Sequence, residues 1–226
     1  MKLKMEFWAL LVLKELKKML DYQEQFYSDK VKLIVGVDEA GRGPLAGPVV
    51  AAACLFPRAY INKEINDSKQ LSEKKREELF EIIKKDALAY GVGIVSAEDI
   101  DKLNIYEATK KAMKMAINNL KHQYDLILTD AMPLKGFDVE VVPIIKGDAK
   151  ALPIAAASII AKVTRDHMMN ELGKKYPEYG FDVHKGYGTA KHMEALKKFG
   201  PIKGVHRFSY KPVIKVSLHE MNIFED

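Results

Sequence analysis

A chain of 226 residues, 48% of them apolar, has material for one compact domain with a true core, which excludes a disordered or fibrous protein. Its 36 basic and 31 acidic residues leave a net charge of +5, a mild bias toward polyanions that names no partner by itself. The single cysteine, Cys54, excludes an internal disulfide and fits a reducing compartment; inside the apolar run 49–56 it reads as a small core side chain. Residues 7–13 are too short for a bilayer, which needs about 20 apolar residues, and Lys14, Lys17 and Lys18 follow at once. A soluble, cytoplasmic chain with no membrane partner is expected.

The spacing of Leu10, Leu13, Leu16 and Leu20 predicts an amphipathic helix over 5–27. A β-branched run predicts a strand at 31–37, and a second strand follows at 49–56 after a loop rich in glycine and proline. Ser72 is a candidate N-cap for a helix at 73–89, and a third strand is expected at 90–95. Three short strands so linked suit an antiparallel meander. The charged run 73–78 reads as a solvated helix face. Beyond it the rhythm changes. One helix is expected over 97–120, a strand at 125–129, and another at 139–146 that Pro143 confines to an edge. Helices at 153–173 and 189–199 follow. Strands alternating with helices imply parallel crossovers, so the fold class is α/β, a mixed sheet flanked by helices.

Two apolar strands run directly into an aspartate: Val35-Gly36-Val37 into Asp38, and Leu126-Ile127-Leu128-Thr129 into Asp130. The carboxyl edge of an open α/β sheet is where sites gather. If these strands are parallel neighbours, two carboxylates lie side by side, which is costly without a cation between them. All-oxygen donors suit Mg²⁺ or Mn²⁺, and no Cys/His cluster points to zinc. Glu39 can share a site with Asp38 only if the chain bends, since strand neighbours face opposite ways. Asp148 either joins the same edge or caps the helix that follows. Ser158, Lys162 and Arg165 form either a polar stripe toward phosphates or a helix surface paired with Asp166. His184, His192 and His206 lack metal-ligand spacing and read as structural or substrate-side.

The stretch Asp38-Glu39-Ala40-Gly41-Arg42-Gly43-Pro44-Leu45-Ala46-Gly47-Pro48 strongly resembles the signature of type 2 ribonuclease H (ribonuclease HII), bacterial form. Further segments agree in order: Asn66-Asp67-Ser68-Lys69, Thr129-Asp130-Ala131, Lys146-Gly147-Asp148, the helix Ala155 to Asp166, His184-Lys185-Gly186-Tyr187-Gly188-Thr189, and His206-Arg207-Phe208-Ser209. The resemblance covers about residues 31–213. It implies the ribonuclease H-like fold with a five-stranded mixed sheet, and a catalytic domain at 31–213 between an N-terminal helical extension, 1–30, and a C-terminal tail, 214–226. It implies a metal site on Asp38, Glu39, Asp130 and Asp148, with two ions during catalysis, and hydrolysis leaving 5′-phosphate and 3′-hydroxyl ends. The implied substrates are RNA–DNA hybrids and duplex DNA carrying a single ribonucleotide, contacted by Gly41, Arg42, Gly43, Lys69 and Tyr187. A monomer is expected. Pro153 and Tyr210 depart from the usual serine and phenylalanine, and neither is a proposed ligand.

Three rivals are set against this. A transposase-like DNA-cutting enzyme would use similar acids but lack the Gly-Arg-Gly and late tyrosine pair. Type 3 ribonuclease H carries a different glycine loop and a larger N-terminal domain. A non-catalytic hybrid-binding module would have lost an acid, and all four stand here.

Overall fold

The computed structural model describes residues 17–65, 68 and 71–223, with side chains described through Leu218. The first part of the expected N-terminal helix lies outside these residues, as do Asn66, Asp67 and Lys69; residues 17–24 are helical (α1).

Three strands form the expected meander: β1 (Ile34–Ala40), β2 (Val49–Leu55) and β3 (Ala89–Val95), each antiparallel to the next. Two parallel strands, β4 (Leu126–Asp130) and β5 (Glu140–Ile144), complete a sheet of order β3-β2-β1-β4-β5. Pro143 sits in the edge strand β5, where a missing N–H costs least. β1 lies three residues later than the periodicity of 31–37 predicts. The Asp125 carboxylate accepts from the N–H groups of Lys32 and Leu33 at 2.8 and 2.9 Å, and pairing with β2 carries β1 on through Asp38, Glu39 and Ala40. The acids therefore lie within the strand and not after it.

Helix α2 (Glu73–Asp86) begins where expected, with the Ser72 side chain accepting from the Lys75 N–H. The single helix expected over 97–120 is two, α3 (Ala97–Leu103) and α4 (Ile105–Asn119). Asn104 turns to φ +67° between them, and its side chain accepts from the N–H groups of Tyr106 and Glu107. A polar side chain offering the backbone an alternative partner breaks the run. The long helix α5 (Leu152–Lys175) carries Pro153 in its first turn, where proline needs no donor. The short α6 (Phe181–His184), α7 (Ala190–Phe199) and α8 (Lys211–Ile223) finish the chain, and α8 spans the boundary expected at 213/214.

Alternation along β1 sorts its side chains between two layers. Val35 and Val37 join a core with Ala108, Ala112 and Ala116 of α4. On the other face, Ala52 and Cys54 of β2 pack with Ala155, Ile159 and Ile160 of α5. Gly36 allows that second layer to close: a Cβ there would stand 2.1 Å from the backbone carbon of Pro153. Asp38, two residues on, shares the face of Gly36 and so points toward α5. Gly36→Ala should lower stability by about 3 kcal/mol or more, since a backbone and not a flexible tip blocks the methyl group. Denaturant unfolding measures this, and an unchanged midpoint would refute the close approach.

Candidate active site

The switch from antiparallel to parallel pairing occurs at β1. Val37 pairs with Thr129, so the next residues along, Asp38 and Asp130, are neighbours across the parallel ladder. Asp148 arrives from a short 3₁₀ turn, Gly147–Ala149, entered through Lys146 at φ +57°. Oxygens of Asp38, Asp130 and Asp148 all lie within 4.8 Å of one another. Asp148 thus joins the sheet edge. The Gly147 N–H donates to Asp130 Oδ1 at 2.8 Å and fixes the turn against the strand.

Asp38 and Asp148 are only 4% and 5% exposed. Burial pushes the Asp38 carboxyl well above its ordinary range, and the charges of Glu39 and Asp130 push it further in the same direction. Three oxygen donors drawn together against their own repulsion match a hard divalent cation. Glu39 lies outside that group of three. β1 stays paired through Ala40, and the Glu39 Oε1 stands 3.4 Å from Nη1 of Arg42, while its charge still acts on Asp38.

Ser158 of α5 hydrogen-bonds the Asp38 carboxylate. Its Oγ lies 2.7 Å from Oγ of Ser68. Arg76 holds the backbone around Ser68 by donating to the carbonyls of Ser68 and Leu71 at 3.1 and 2.5 Å. Arg76 is thus turned inward, unlike the rest of the run 73–78, which the sequence marks as solvated.

The loop 41–48 leaves β1 at Gly41, φ +97°, a conformation that disfavours any side chain. Its carbonyls are satisfied by two buried guanidiniums, which the periodicity of α5 alone does not reveal. Arg165, 1% exposed, donates to the carbonyls of Ala46, Pro48 and Lys185 at 3.1, 2.9 and 3.0 Å. It is therefore not part of a stripe facing phosphates; of the residues expected there, Lys162 pairs with Asp166 at 2.7 Å. Arg207, fully buried, donates to the carbonyls of Gly41, Arg42 and Gly47 at 2.6, 2.9 and 3.0 Å. Burial and the charge of Arg207 lower the Arg165 pKa to about 10, so it stays charged at neutral pH. The Tyr210 hydroxyl, absent where phenylalanine is usual, adds a bond to the Arg42 carbonyl at 2.7 Å.

The late tyrosine loop meets this one. The Leu45 N–H donates to the Gly186 carbonyl at 2.8 Å. A Cβ on Gly43 would lie 3.6 Å from Cε1 of Tyr187, so the ring lies beside the glycine at the distance of an ordinary side-chain contact. Tyr187 is 47% exposed and the Arg42 side chain 48% exposed. The structure thus brings Gly41, Arg42, Gly43 and Tyr187 together beside the acids, while Lys69 lies outside the described residues.

The family model of ribonuclease HII matches residues 35–213. The chain belongs to the ribonuclease HII family. It is 52% identical over 200 residues to the ribonuclease HII of Acetivibrio thermocellus, covering 87% of this chain and 78% of that one. It is 50% identical over 203 residues to that of Caldanaerobacter subterraneus subsp. tengcongensis, covering 90% and 84%. The crystal structure of ribonuclease H2 from Pyrococcus horikoshii superposes with a TM-score of 0.72 at 29% identity, covering 83% of this chain and 98% of that one. The protein is an endoribonuclease H acting on the RNA of RNA–DNA hybrids, in a family that depends on divalent metal, and its mixed five-stranded sheet with flanking helices is the ribonuclease H-like fold. No helix among the described residues is long and apolar enough to cross a membrane.

A carboxyl whose folded pKa is raised costs stability as pH climbs through that value, because the fold favours the protonated form. Asp38→Asn should therefore raise the melting temperature of the metal-free protein at neutral pH, and the gain should vanish in acid. Asp38→Asn and, separately, Asp130→Asn should reduce cleavage to background while both variants stay folded. Melting curves at several pH values and cleavage with Mg²⁺ are measured together; full activity in either variant contradicts the assignment.

Proposed function

We propose that the enzyme cuts hybrids and also incises duplex DNA on the 5′ side of a single embedded ribonucleotide, leaving 5′-phosphate and 3′-hydroxyl ends. In this reading Asp38, Glu39, Asp130 and Asp148 hold two divalent ions, Mg²⁺ or Mn²⁺. Bound there, such ions supply Lewis acidity for the attacking water and charge neutralisation at the leaving 3′ oxygen. The three clustered aspartates support three of the ligands directly. Glu39 enters as a further ligand through a side-chain movement away from Arg42, which stands 3.4 Å from it.

The chain's own residues do the positioning. Ser158 holds the Asp38 carboxylate from α5. The phosphodiester is the same in RNA and DNA, so acids alone would not discriminate between them. Discrimination requires a reader of the 2′-hydroxyl, which both donates and accepts. The backbone at Gly41-Arg42-Gly43 can approach a ribose closely, and the Arg42 side chain offers charge to a phosphate. Lys69 is assigned a further phosphate contact. Tyr187 stacks on the deoxyribose after the ribonucleotide, so that the two loops read the RNA-to-DNA step together. The observation that carries this reading is the placement of Tyr187 next to Gly43, on the loop that leaves the strand bearing Asp38.

The lone, buried cysteine is compatible with a reducing cytoplasm, and we assign the working unit as a monomer. The catalytic domain is assigned to 31–213, with 1–30 and 214–226 as appendages.

The decisive assay uses three end-labelled duplexes: all-DNA, continuous RNA–DNA hybrid, and DNA with one ribonucleotide. The wild type should cut the second and third and spare the first. Tyr187→Ala should lose on the order of tenfold more activity on the single ribonucleotide than on the continuous hybrid, equal to about 1.4 kcal/mol of transition-state stabilisation. Equal losses refute junction reading by Tyr187, and cutting of the all-DNA duplex refutes the discrimination itself.

A further inference from the structure

Three histidines lie buried behind Tyr187. His184 and His192 stack with ring centroids 4.5 Å apart, and His192 and His206 meet through their Nε2 atoms at 3.1 Å. Phe181 and Tyr179 wall the cluster. Their backbone partners settle where each proton sits. The Ile202 N–H donates to His206 Nδ1 at 2.8 Å, so Nδ1 of that neutral ring carries no proton and Nε2 does. His206 Nε2–H then donates to His192 Nε2, which must be bare. His192 in turn carries its proton on Nδ1, and that atom lies 3.0 Å from the Tyr187 carbonyl oxygen. His184 follows the same logic separately. Its Nδ1 accepts from the Gly186 N–H at 3.2 Å, and its Nε2 donates to the Tyr179 carbonyl at 2.7 Å.

We propose that His206 and His192 form a hydrogen-bond relay from the Ile202 N–H to the Tyr187 carbonyl, and that both are positioning residues that fix Tyr187 for junction reading. The inference rests on the role given to Tyr187 above. Every ring atom in the relay has one partner of the required kind, and reversing either tautomer sets two donors or two acceptors face to face. The relay also requires neutral rings. Burial lowers His192 and His206 to about 4, with neighbouring histidines acting in the same direction. The relay is therefore a fixed strut at working pH and not a switch. It holds the Tyr187 carbonyl from behind, beside the Thr189 N–H that donates to the same oxygen at 2.8 Å and the Tyr187 N–H that donates to the His184 carbonyl at 2.9 Å.

Two measurements test this. Long-range proton–nitrogen NMR on the whole protein reads the tautomers directly. His192 should show the proton on Nδ1, the less common form in water, and His206 on Nε2. The opposite tautomer at either ring overturns the relay without any variant being made. The second test separates positioning from folding. His206→Gln can still donate from its amide nitrogen to His192. His206→Asn can still accept from Ile202 but cannot reach His192. Both shorten or lengthen the link inside the same packed site, so melting curves accompany the kinetics. With the single-ribonucleotide duplex, His206→Asn should lose roughly fivefold in kcat/KM, the worth of about one hydrogen bond. The loss should be much smaller on continuous hybrid and largely absent in His206→Gln. Placed on Tyr187→Ala, the His206→Asn change should cost nothing more on the single-ribonucleotide duplex. If Tyr187→Ala loses selectivity but His206→Asn does not, the relay falls and the role of Tyr187 stands. If Tyr187→Ala itself has no selective effect, the role of Tyr187 falls and takes the relay's function with it.

Discussion

One guanidinium ties the loop 41–48 to the loop that carries Tyr187. Arg165 reaches the carbonyls of Ala46 and Pro48 on one side and of Lys185 on the other. A buried cation without a carboxylate partner is costly unless each donor is used. Here the loop's own geometry supplies the acceptors, since 41–48 lies outside regular structure except for a single bridge at Ala46 and its carbonyls need partners. Arg207 serves the same loop from the C-terminal segment. Cation and loop are interdependent. Charge-assisted bonds to carbonyls order the glycine-rich chain, and that ordered chain solvates the buried charge. Gly41 follows from this constraint, for a Cβ there would meet Arg165 Nε at 2.1 Å.

The acids obey a different constraint. Their convergence comes from sheet topology, because only parallel pairing of β1 with β4 sets Asp38 beside Asp130. The price is mutual repulsion at a buried edge, visible in the raised pKa of Asp38. The fold tolerates that arrangement in part because local donors hold two of the carboxylates: Ser158 and the Glu39 N–H on Asp38, and the Gly147 N–H on Asp130. These bonds orient the oxygens before any cation binds, which lowers the ordering needed on binding.

Much of this is legible in the sequence. Strand periodicity locates all five strands to within a few residues, and apolar runs ending in Asp38 and Asp130 locate the edge. Ser72 marks its helix start, and Tyr187 between glycines is exposed as its flanks imply. What stays hidden depends on contacts far along the chain. Arg165 sits at a helical position that looks solvent-facing until the loop 41–48 folds over it. Arg76 is hidden in a run of charges because its acceptors, the carbonyls of Ser68 and Leu71, belong to the irregular segment before its helix. The break at Asn104 is masked because apolar spacing continues across it, and a single capping side chain overrides that spacing. The tautomers of His192 and His206 depend on backbone groups four and five residues away and on the meeting of two rings fourteen residues apart, and no periodic pattern records them.

Chemistry and recognition are therefore set by separate means but measured against one ruler. Ser158, facing Asp38, and Arg165, facing the two loops, stand seven residues apart on α5. Seven residues make about two turns and about 10 Å of helix, so both side chains leave the same face. A shift of α5 along its axis would move the Asp38 anchor and the loop anchor together. A change in the loops alone would leave the acids where they are. Gly36 lets β1 approach the start of that same helix, which fixes the helix against the strand bearing Asp38. The sheet thus sets where the acids stand, and the single helix across it sets how far from them the two loops lie.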